Sequence, residues 1–63
     1  MIWALIKDSL IVNVIVADQP FAEQIIHDWD YVIEITNENP MPRIGDTYDA
    51  QNVQFIFAPN QGN

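Results

Sequence analysis

His27 is the only histidine in the chain, and histidine is the side chain whose ordinary charge changes near neutral pH. On a helix, Glu23 before it and Asp30 after it lie within an arc of about 60° of one another, so the three could converge on a metal ion. Acidic helices produce that spacing freely and no second histidine supports it. The reading preferred is a solvated polar face, with no metal expected. Ser9, His27 and any of several acids can be combined on paper as nucleophile, base and orienting carboxylate. Ser9, however, falls in a tight turn between two strand-like runs, and no oxyanion-forming motif accompanies it. Asp28 and Asp30 stand two apart, which on a helix points them away from each other and makes them a poor acid/base pair. Asp28-Trp29-Asp30 fails as a calcium loop because Val32 occupies the next ligand position, and Asp46-Thr47-Tyr48-Asp49 has the wrong spacing. Gly45 and Gly62 are the only glycines, which leaves no phosphate-cradling loop, and the absence of cysteine excludes disulfides and thiolate zinc. Trp3, Trp29, Phe21, Phe55 and Phe57 read as core or subunit interface rather than a ligand-stacking set, and Pro40-Met41-Pro42 as a loop rather than a groove ligand. The expectation is a non-enzymatic chain with no cofactor.

The elements that would carry such residues are few. The chain has 63 residues, one domain at most. Hydrophobic residues are 49% and charged residues 17%, too apolar for a disordered acidic tail. Burial on folding contributes about 95 kcal/mol, and ordering the chain costs nearly the same. A lone copy is therefore marginal, and with no cysteine the expected stabiliser is a partner subunit. Nine acids against two cations give a formal charge of −7, and Asp8, Asp18, Glu23, Asp28, Asp30, Glu34 and Glu38 lie between Lys7 and Arg43 with no other cation among them. Binding to nucleic acid or to an anionic membrane needs clustered cations, so neither is expected. The apolar run from Ile2 to Val16 is broken by Lys7, Asp8, Ser9 and Asn13, the pattern of neither a signal peptide nor a membrane span. Synthesis and folding in a cytoplasm are expected, with assembly into a larger particle left open.

Ile2 to Lys7 and Leu10 to Ala17 are strand-like runs separated by Asp8-Ser9, the spacing of a tight hairpin, with Ser9 where glycine is usual. Simple alternation puts Ile11, Asn13 and Ile15 on one face of the second strand and Val12, Val14 and Val16 on the other, so both faces are apolar. From Pro20 to about Asp30 the helical period gathers Phe21, Ala22, Ile25, Ile26 and Trp29 on one side. Asp18 or Gln19 would start that helix with Pro20 in its first turn, and Asp28 and Asp30 would oppose the dipole at its end, stopping it near Trp29. Tyr31 to Thr36 alternates as a strand with one wetter face, Asn37 to Gly45 reads as an extended loop, and Thr47 to Asp49 and Val53 to Ala58 form two short strands around Ala50-Gln51-Asn52. Residues 1–59 make one domain and residues 60–63 a polar C-terminal tail.

The predicted fold is α+β: a small, mainly antiparallel sheet of four or five strands with one amphipathic helix on one face. One face of the Val12, Val14, Val16 strand should bury Phe21, Ile25 and Trp29. The other lacks a second layer within so short a chain and should pair with another copy. Trp3, Ile11, Asn13 and Ile15 are the candidate oligomer interface, and Glu23, Asp28, Asp30 and Glu34 the candidate partner-facing acidic surface.

Two stretches carry a resemblance. Ile6 to Asp18 (IKDSLIVNVIVAD) is similar to the opening of small virion-associated and tail-accessory proteins of tailed bacteriophages, a short strand, a tight turn and then V-x-N-V-I-V-x-D. Ile44-Gly45-Asp46-Thr47-Tyr48-Asp49, followed by Phe55 and Pro59, resembles their I-G-W-x-Y-D-G-x-x-F-x-x-P ending. This chain departs in having Asp46 for the aromatic, Ala50 for the turn glycine, and Gln51-Asn52-Val53-Gln54 as an insertion. The resemblance implies a phage-encoded structural module, made in a host cytoplasm, that self-associates as a homo-oligomer and docks on a virion or tail assembly. The alternative is an acidic phage-encoded protein that occupies a basic site on a host protein.

Overall fold

The structure, a computed structural model, describes residues 1–59; the expected polar tail, 60–63, lies outside them. Five strands, β1 (Ile2–Lys7), β2 (Leu10–Val16), β3 (Tyr31–Glu34), β4 (Thr47–Asp49) and β5 (Gln54–Ile56), form one antiparallel sheet in the order β3-β1-β2-β4-β5. One helical segment, α1 (Gln19–Ile25) running into a 3-10 turn (Ile26–Asp28), completes an α+β fold.

The β1–β2 turn needs positive φ at both central residues, and Asp8 (54°) and Ser9 (67°) adopt it without glycine. The Asp30 carboxylate steadies the turn by accepting the Asp8 N–H at 2.7 Å. At the helix start Asp18 accepts the N–H of Phe21, with proline in the first turn, as the composition predicts. The helical segment stops before Trp29, which is extended, as expected; within it α-geometry gives way to a 3-10 turn after Ile25. No basic residue stands in the last turn of α1 to favour a longer run.

Simple alternation along β2 fails. Leu5 pairs with Asn13 but Ile6 pairs with Ile11, so Val12 is the extra residue of a β-bulge. The bulge moves Ile11 to the side of Val14, where it is 0% exposed in a core with Ala4, Ile6, Ile35 and Tyr48. Trp3 and Leu5, opposite Ile15 and Asn13, face the other way, toward the helix.

Both faces of β1 are covered from within the chain, which corrects the expectation of a missing second layer. On the inner face Ile35, Met41, Tyr48 and Phe55, brought by the loop after β3 and by the β4–β5 hairpin, pack over Ile2, Ala4, Ile6, Val14 and Ile33. On the other, α1 lies over Trp3 and Val32 through Ala22. Phe21, expected in the core, is 48% exposed, while Ala22 takes the buried place and Ile25 and Trp29 are half-buried. The Trp3 indole N–H donates to the carbonyl of Ala17 at 2.9 Å, anchoring the link between β2 and α1.

Candidate functional site

The far end of the sheet, where β2, β4 and β5 meet, holds the most tightly specified chemistry among the described residues. β4 is stitched to β2 by three backbone bonds: Ile11 N–H to the Asp46 carbonyl (2.9 Å), Gly45 N–H to the Ile11 carbonyl (3.0 Å) and Tyr48 N–H to the Ser9 carbonyl (2.7 Å). Gly45 has φ of 98°, a conformation in which a side chain is strained. It turns the chain so that Asp46, 1% exposed, points inward.

The Asp46 carboxylate accepts the N–H of Arg43 on Oδ2 (2.8 Å) and that of Ala58 on Oδ1 (2.7 Å). Burial alone would raise its pKa, but those two N–H groups and the Arg43 guanidinium outweigh burial and hold the carboxyl below its ordinary value. The Arg43 side chain is largely in solvent, with its Nε 3.9 Å from Oδ2, so the two N–H bonds carry the interaction and the ion pair adds little. Asp46 thus ties the loop before β4 to the chain after β5. Tyr48 fills the space between Tyr31 and Phe55, with ring centroids 5.3 and 5.1 Å away. Asp49 closes the β4–β5 turn by accepting from the Asn52 side chain (2.7 Å) and from the N–H groups of Gln51 and Asn52. These bonds hold its pKa below the ordinary value.

On the outer side of this end the register sets Leu10, Thr47 and Ile56 in one cross-strand row. Leu10 is 40% and Ile56 50% exposed, and Val12, Val53 and Phe57 are exposed as well. The helix does not reach here; it covers the Trp3 and Val32 end of the sheet, where a cleft of about 170 Å³ opens beside Ala22 and Ile26. The chemistry of the row is apolar contact rather than bond making.

The structure separates the residues proposed as one interface. Trp3, Asn13 and Ile15 share the helix side of the sheet, with Trp3 buried and Asn13 exposed, whereas the bulge places Ile11 inside the opposite core. Glu23, Asp28, Asp30 and Glu34 are all exposed. Two of them already have internal roles: Glu23 accepts from the Gln19 side chain (3.0 Å), and Asp30 holds the β1–β2 turn. His27 is exposed on the 3-10 turn, and no group of three His, Asp or Glu side chains among the described residues is placed to hold a metal. Asp46 is a site residue that the sequence reading misses. The signal was there in part: a glycine before it, an arginine three earlier, and an acid where the resembling pattern has an aromatic. What the acid binds, the Ala58 N–H, is set by a strand return that local sequence does not specify.

No protein-family model matches this chain, and no curated protein and no solved structure matches it.

Proposed function

We propose that this chain is a non-enzymatic interaction module that self-associates and, as the resemblance to small phage virion and tail proteins suggests, docks on a larger assembly. The observation that carries the reading is the cross-strand row of Leu10 and Ile56, both exposed and left open on one end of a sheet whose other end is covered by α1. Exposed apolar side chains grouped at one place are the usual mark of an association surface. The row itself holds Thr47 and no acid, in a chain of net charge −7. Sedimentation velocity over a concentration series tests the reading: a concentration-dependent dimer or larger species supports it, and a monomer at every concentration overturns it.

The acidic binding module is the weaker alternative. Its supporting observation is the exposure of Glu23, Asp28, Asp30 and Glu34, but the bonds of Glu23 to Gln19 and of Asp30 to Asp8 give two of the four a role inside the fold. Added salt separates the two readings. Screening weakens capture of a basic partner and strengthens association of like-charged copies.

A further inference from the structure

We propose that the self-association surface is an edge, and that a second copy of this chain adds its own β5 antiparallel to β5, joining the two sheets into one. This rests on the self-association reading and names its seam.

The Tyr48 N–H is directed at β2, where it meets the Ser9 carbonyl. By alternation Thr47 and Asp49 turn their backbone groups toward β5, opposite Ile56 and Gln54. The intervening residue of β5, Phe55, therefore presents its N–H and C=O away from β4, at the end of the strand order, where no further strand lies among the described residues. Its side chain meanwhile packs on Tyr48. The edge is held in place at both ends: Asp49 fixes the turn before it, and the Asp46 carboxylate fixes Ala58 after it.

Natural edge strands are blunted by charge, proline or a bulge. The opposite edge, β3, carries Glu34 within the strand and Asp30 just before it. No ionisable side chain stands between Val53 and Ala58, and none follows Asp49 in the sequence. Val53, Ile56 and Phe57 are exposed along this edge. For two copies of charge −7, it is the edge at which they meet without placing like charges side by side. A two-fold axis at Phe55 makes the pairing self-complementary: Phe55 exchanges two backbone bonds with Phe55 of the partner subunit, and Gln54 lies opposite Ile56 of the partner subunit.

The chain has no cysteine, so introduced thiols are the only ones. Gln54→Cys and Ile56→Cys are made as separate variants and mixed under mild oxidant. In the proposed register the two positions flank the bonded Phe55 pair, with Cα atoms about 4.5 Å apart, within disulfide reach. The mixture is expected to give about tenfold more covalent dimer than either variant alone. A second arm reads association directly: Ile56→Lys should weaken it about tenfold, while Val16→Lys, at an exposed site on β2, leaves it unchanged. If Ile56→Lys prevents folding, Gln54→Lys, on the same edge, takes its place with the same expected loss. Equal cross-linking by each variant alone, or dimers that persist with a charge on β5, would overturn the seam and leave self-association standing. A wild-type monomer at all concentrations would overturn both.

Discussion

Asp46 and Ala58, twelve residues apart, are joined by a 2.7 Å bond from the Ala58 N–H to the Asp46 carboxylate, and this bond secures the chain leaving β5 to the loop entering β4. Asp46→Asn keeps the size and removes the charge that two backbone donors share. The expected cost is about 1–3 kcal/mol, a fall in Tm of roughly 5–20 °C for so small a domain. Thermal unfolding followed by circular dichroism measures it. A variant as stable as the parent would show that the carboxylate does not hold this end of the sheet.

Acid should loosen the same end. Asp46 and Asp49 have folded-state pKa values below the ordinary 3.8. For depressed groups the stabilisation is present above the unfolded pKa and is lost as pH falls through the folded values, because the unfolded chain takes up the protons first. The contribution of these two carboxylates is therefore constant near neutrality and disappears on going below about pH 4. Urea midpoints against pH should show a shallower acid limb for Asp46→Asn than for the parent; parallel limbs would contradict the assignment.

The β1–β2 turn is built with a serine at φ of 67°. Ser9→Gly removes the cost of a side chain in the left-handed region, which should raise stability by about 1 kcal/mol. Denaturant titration reads the gain. A loss would mean that the Ser9 side chain contributes more to this turn than its backbone strain costs.

Ile11 and Val12 are neighbours with opposite expected sensitivities. Ile11→Ala opens a cavity in the inner core and should cost about 2–5 kcal/mol. Val12→Thr acts at a bulged, partly exposed position and should stay within about 0.5 kcal/mol. Comparable losses at the two sites, measured by urea unfolding, would argue against the bulge.

What could be read in the sequence follows from what is local. Asp18 with Pro20, the Asp8-Ser9 turn, and the alternation of Tyr31, Ile33 and Ile35 each act within a few residues, and the helix start, the hairpin and the inner face of β3 follow from them. The side on which Ile11 lies was hidden, because one bulge residue inverts the face of everything before it and Val12 looks no different from Val14 in composition. Cover of the inner face was hidden as well, since Ile35, Met41 and Tyr48 come to it from beyond a proline-containing loop. The burial of Asp46 has the same origin: it depends on Ala58, twelve residues on, arriving beside the carboxylate.

Copies of this chain are expected to meet through surface that one copy leaves open. Solution X-ray scattering over a dilution series, at low and at high salt, reads this as mass. The expected result is a particle whose mass climbs from 7.2 kDa to twice that as concentration rises, and at lower concentration when salt screens the repulsion between chains of charge −7. A mass that stays at 7.2 kDa throughout, with the 11.5 Å radius of gyration of the single protomer, would contradict it.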